Sequence, residues 1–120
     1  MKKIIVISLM ALLVVGCGSN KILSGKITCD QKEKLMSNDS IVLIDVRTND
    51  EYRNGHLDKA INIPYDVIDS EIKKYKDIDE NSTIIVYCKS GQRSGKAYET
   101  LKNMGYKNIY DLGPISSCDK

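Results

Sequence analysis

Apolar and polar positions along the chain alternate between short apolar runs and stretches with helical spacing. Ile84 to Tyr87 is apolar throughout, which predicts a strand buried on both faces, as in a parallel sheet. Ile41 to Asp45 reads as a second such strand, apolar until Asp45. Ala60 to Ile63 reads as a third, ended by Pro64, with a short first strand at Ile27-Thr28 and a last one over Asn108 to Leu112. The helical stretches fall between them. Thr28 or Asp30 caps a helix running to about Met36, with Leu35 and Met36 facing inward. Thr48 or Asn49 starts a short helix that stops near Asn54-Gly55. Val67, Ile68, Ile72 and Tyr75 mark one face of a helix from Asp66 to about Lys76. Ala97, Tyr98, Leu101 and Met104 form a core stripe on a helix from Ser94 to Met104, with Gly105 as its C-cap. Strands alternating with helices predict a three-layer α/β/α domain around a mainly parallel five-stranded sheet.

The candidate chemistry lies where the strand ending in Tyr87 stops. Cys88 follows it, then a loop of small and polar residues, then a helix N-terminus. Free N–H groups and the positive end of the helix dipole gather there and favour a thiolate or a bound anion. Cys88 and Arg93 bracket Lys89, Ser90, Gly91 and Gln92. Such a loop can curl its N–H groups inward as a nest, and Gly91 permits the positive φ this requires. Lys89 and Arg93 add positive charge, and Arg93 can grip an oxyanion with its planar fork. The pattern points to a nucleophilic thiolate in an anion cradle. The plainer reading of Cys88 is a buried, inert core thiol.

Tyr87-Cys88-Lys89-Ser90-Gly91-Gln92-Arg93-Ser94 resembles the active-site loop of the rhodanese domain, a family of sulfurtransferases. The resemblance continues through Leu43-Ile44-Asp45-Val46-Arg47, Glu51-Tyr52, Gly55-His56-Leu57 and Ala60-Ile61-Asn62-Ile63-Pro64 upstream, and Met104 to Gly113 downstream. It covers roughly Ile27 to Ile115. It implies that Cys88 takes the outer sulfur of a donor such as thiosulfate as a persulfide and passes it to a thiol or cyanide-like acceptor. Lys89, Ser90, Gly91, Gln92, Arg93 and Ser94 would bind the donor, without a cofactor. Related phosphatases carry one more residue between Cys and Arg, so four intervening residues favour sulfur over phosphorus. Asp45 and Arg47 leave a strand on the same side of the sheet as Cys88. Arg47 either supports the loop or pairs with Asp45 or Glu51. His56, the sole histidine, is expected to pack and hydrogen-bond rather than act as a base. No Cys/His spacing supports a metal site.

The first residues change the picture of location. Lys2 and Lys3 precede an apolar run from Ile4 to Val15, then Val14-Val15-Gly16-Cys17. This reads as a secretory signal over residues 1–16, and the last four residues resemble a bacterial lipobox with Cys17 lipidated. An uncleaved anchoring helix is the alternative. Residues 17–24 would then be lipidated Cys and tether, and 25–120 the domain, outside the cytoplasm and held at a membrane. Of 18 basic and 16 acidic residues, two basic ones lie in the leader, so the remainder is neutral. Nothing in that balance suggests nucleic acid as a partner.

Cys29 and Cys118 remain. In the rhodanese fold the first and last strands are parallel neighbours, so both cysteines would lie toward one end of the sheet, and an oxidising location permits a disulfide. Two free thiols are the alternative. The sequence departs from its relatives here, with Gly113-Pro114 for their Gly-Gly and Cys118 near the place of a tryptophan. A module that only binds or senses sulfane sulfur is a rival to the transferase, and a thiol–disulfide oxidoreductase is a weaker one.

Overall fold

In a computed structural model of the chain, residues 25–118 are described. The leader, Cys17 and the whole tether lie outside them. Strands β1 (Gly25–Lys26), β2 (Val42–Asp45), β3 (Ile61–Asn62), β4 (Thr83–Cys88) and β5 (Asn108–Pro114) form one parallel sheet in the order β1-β5-β4-β2-β3. Helices α1 (Cys29–Met36), α2 (Asn49–Arg53), α3 (Ile68–Glu71) and α4 (Gln92–Asn103) cover its faces.

Alternation along the central strands sends side chains to two cores. Ile84, Val86 and Cys88 face one, with Ile44, Val46, Ile68, Ile72, Ala97 and Leu101. Ile85 and Tyr87 face the other, with Leu43, Ile27 and Leu112, and α1 contributes the half-buried Leu35 and Met36. Each face is thus closed by helices, giving the three layers expected.

Several boundaries differ from expectation, each for a local reason. Thr28 is not in the first strand because its hydroxyl caps α1, accepting the Gln31 N–H while the Gln31 side chain accepts the Thr28 N–H. Ile27 still donates to the Asp111 carbonyl at 3.0 Å, just beyond β1. Ala60 is outside β3 because its N–H closes a turn onto the Leu57 carbonyl. The helix expected from Asp66 to Lys76 is only α3 followed by a 3-10 turn, Ile72–Lys74. Its N-cap, Val67, offers no side-chain acceptor. Only Ile68 and Ile72 are buried; Val67 and Tyr75 are 39% and 36% exposed. Helix α4 begins two residues before Ser94.

Strand β5 runs to Pro114 and carries a bulge. Val86 pairs with Asp111 but Tyr87 pairs with Gly113, leaving Leu112 as the extra residue. Cys88 then pairs with Pro114. Beyond it, a 3-10 turn (Ile115–Cys118) brings the tail back, and a disulfide joins Cys118 to Cys29. Ile115 and Cys118 pack against the core that holds Tyr87 and Leu112.

Candidate active site

Cys88 ends β4 at the C-terminal edge of a parallel sheet, where open α/β sheets place their ligands. The chain then turns at Gly91, whose φ of 101° is a left-handed conformation that disfavours any other residue. That turn brings the loop back over the sulfur. Cys88 Sγ accepts the Gly91 N–H at 2.9 Å and the Ser94 N–H at 3.3 Å. Ser94 is itself buried, and its hydroxyl donates to the Gly91 carbonyl at 3.1 Å, tying the two ends of the curl together. Gln92 and Arg93, in the first turn of α4, have no carbonyl one helical turn back for their N–H groups.

The curl closes more tightly than expected. Cys88 is 0% exposed, as the plainer reading of a buried thiol expects. Its Sγ lies under its own loop and against the core.

Arg93 is also placed differently. Its fork does not face free space but grips Glu51, with Nη1 2.7 Å from Oε1 and Nη2 3.1 Å from Oε2. Glu51 offers both oxygens in one plane, the geometry a guanidinium matches best. The Arg93 guanidinium, with the Thr48 N–H, holds the Glu51 carboxyl down to about 2, while Glu51 raises Arg93 in return. In the sequence, Glu51 has a place in the Glu51-Tyr52 motif and as a partner for Arg47, but not for Arg93. The Thr48-x-x-Glu51 capping box was the signal that could have placed it, because that box fixes Glu51 at the N-terminus of α2. Lys89, Ser90 and Gln92 are exposed, and Lys89 makes no ion pair among the described residues.

Arg47 pairs with Asp45, not with Glu51. Asp45 is fully buried and accepts Arg47 Nη2 at 2.7 Å, Arg47 Nε and backbone N–H at 2.9 Å, and the Tyr87 hydroxyl at 2.9 Å. Arg47 also donates to the Gly55 carbonyl, and Tyr87 accepts the Leu57 N–H. Those bonds to Asp45 raise the Arg47 guanidinium, and burial raises the Tyr87 phenol. The network fixes Tyr87, the residue before the cysteine, to the loop after β2. His56 is exposed, stacks on Tyr52 at 3.7 Å between ring centres, and donates from Nδ1 to the Tyr52 carbonyl at 2.8 Å.

The rhodanese-like domain family model matches residues 28–113. The chain belongs to the rhodanese-like domain family. This rhodanese-like domain is 40% identical to the thiosulfate sulfurtransferase PspE of Escherichia coli over 72 residues, 60% of this chain and 68% of PspE. It is 32% identical to a candidate sulfur carrier protein, YrkF, of Bacillus subtilis, over 69% of this chain and 43% of YrkF, so it spans less than half of that relative. A solved rhodanese with anions from E. coli superposes with a TM-score of 0.59 at 35% identity, over 65% of this chain and 91% of the other.

Proposed function

We propose that the chain is a rhodanese-type sulfurtransferase in which Cys88 carries sulfane sulfur. The observation that carries this reading is the pair of loop N–H groups converging on Cys88 Sγ. In the first half-reaction the Cys88 thiolate attacks the outer sulfur of a donor such as thiosulfate. A Cys88–sulfur bond forms, the donor's sulfur–sulfur bond breaks, and sulfite leaves with that bond's electron pair. In the second, a nucleophile such as cyanide attacks the outer persulfide sulfur, takes it as thiocyanate, and returns Cys88 as thiolate. The N–H groups that hold the thiolate also stabilise the persulfide's negative charge. Lys89 is the charge left to draw an anionic donor, because Arg93 is committed to Glu51. Asp45 and Arg47 position Tyr87 rather than touch the donor. Similarity to PspE supports a thiosulfate donor.

The domain is further proposed to act outside the cytoplasm, anchored through lipid on Cys17. The Cys29–Cys118 disulfide supports an oxidising compartment. Palmitate labelling that is lost in Cys17→Ala supports the anchor, and label retained in that variant rejects it.

One observation favours a second reading. The closed sulfur, 0% exposed, suits a module that stores sulfane sulfur and releases it slowly. Steady-state thiosulfate-to-cyanide turnover separates the two. The transferase reading expects multiple turnovers in the wild type and none in Cys88→Ser. A single stoichiometric release favours storage, and activity in Cys88→Ser rejects both.

A further inference from the structure

Strand β1, strand β5 and helix α4 border a solvent-open cavity of about 190 Å³ next to the loop. That is room for about six waters' worth of liquid. Its floor is Asp111, whose side chain has no place in the sulfur chemistry. Asp111 is only 5% exposed, and its Oδ1 is sealed from solvent without a hydrogen-bond donor among the described residues. Its Oδ2 faces Gly95, where a Cβ would stand 3.9 Å from that oxygen. Gly95 sits inside α4, where glycine costs about 1 kcal/mol relative to alanine, and its missing side chain leaves the wall above the carboxylate open.

A buried carboxylate with a donor-less oxygen is costly, and positive charge with N–H donors brought to its Oδ2, the oxygen on the Gly95 side of the cavity, offsets that cost. Lys26 is paired in register with Asp111 across β1 and β5. Yet Lys26 is exposed and makes no ion pair among the described residues. Glu99 and Tyr98 also line the cavity, as does Lys26 itself, the one cationic side chain among its lining residues. A second acidic group and an aromatic ring both suit a cation. No cluster of three or more metal-ligating side chains occurs among the described residues, so a divalent ion has too few ligands.

We propose that this cavity is a binding site for a small organic ammonium group, held by the Asp111 carboxylate. A primary ammonium supplies three N–H donors in a compact head. Gly91 borders the same cavity and donates its N–H to Cys88 Sγ, so an occupant sits one peptide from the sulfur.

The probe is ethylammonium chloride, titrated into the isotope-labelled full chain and followed by the amide signals of Gly91, Gly95 and Tyr98. Sodium chloride at matched ionic strength is the control. Saturable shifts with ethylammonium alone are expected, weakened about tenfold or more in Asp111→Asn, since hydrogen bonds to charged groups are the strong ones. The shifts should persist in Cys88→Ser, so loss of sulfur transfer and loss of this site are told apart. Asp111→Asn should unfold at the same or higher urea concentration than wild type, because the amide removes an uncompensated charge. The proposal is overturned by shifts that follow salt alone, or by equal affinity in Asp111→Asn. It is also overturned by binding seen only in Lys26→Ala, which would make Lys26 the partner, or by an Asp111→Asn chain that does not fold.

Discussion

At the scale of single residues, the loop depends on where charges and N–H groups sit. Cys88 and Gly91 were legible in the sequence because their roles are local: a thiol at a strand end and a left-handed turn three residues on. Ser94 was read as a donor-binding residue, but its N–H and hydroxyl both work inside the loop. The partner of Arg93 was not legible, because Glu51 lies 42 residues away and reaches it only through the fold. That pair has a measurable signature. The folded-state Glu51 carboxyl is depressed to about 2 from 4.5, so its contribution to stability is present above about 4.5. It drains away as pH falls from there through about 2. Urea unfolding across this window should show a steeper loss of stability for wild type than for Glu51→Gln. Parallel slopes would mean the fork contributes nothing to the fold.

At the scale of elements, β1 forms at Gly25–Lys26 and not at Ile27-Thr28, whereas β2, β4, β5 and α4 were readable because their hydrophobic periods run long enough to fix a face. The segment from Asp66 to Lys76 was not. Four apolar residues at helical spacing predicted one helix, but Val67 has no capping side chain and Tyr75 falls after the chain has tightened into a 3-10 turn. The bulge at Leu112 was invisible too, since it depends on register against β4 rather than on local composition. The tail after β5 is held covalently. The Cys29–Cys118 link spans 89 residues of sequence, and removing such a bridge typically costs about 2–5 kcal/mol. Cys29→Ser/Cys118→Ser should therefore lower the unfolding free energy measured in urea by that amount, and the midpoint with it. Because Pro114 lies beside Gly91, with its Cδ 3.6 Å from where a Gly91 Cβ would stand, loosening the tail should also disturb the loop. An unchanged midpoint would mean the tail is anchored by packing alone.

At the scale of the whole molecule, two helix-covered faces and a parallel sheet bring distant segments to one edge. There β4 supplies the sulfur, Gly91 and the α4 residue Ser94 its amides, α2 the carboxylate for Arg93, and β5 the wall behind Gly91. This convergence followed from the alternation of strands and helices, whereas the closure of the sulfur did not. Its closure predicts that iodoacetamide modifies Cys88 only as fast as the loop opens. Glu51→Gln, which removes the charge partner of Arg93, should react faster at Cys88, followed by peptide mass. Equal rates would show that the Arg93–Glu51 fork does not hold the loop shut. The central claim is that Cys88 carries sulfane sulfur, and intact mass of the full chain before and after thiosulfate tests it most directly. Wild type should gain the mass of one sulfur, mapped to Cys88 and discharged by cyanide, with none on Cys88→Ser. A wild-type chain that never gains that mass, or a Cys88→Ser chain that does, would contradict it.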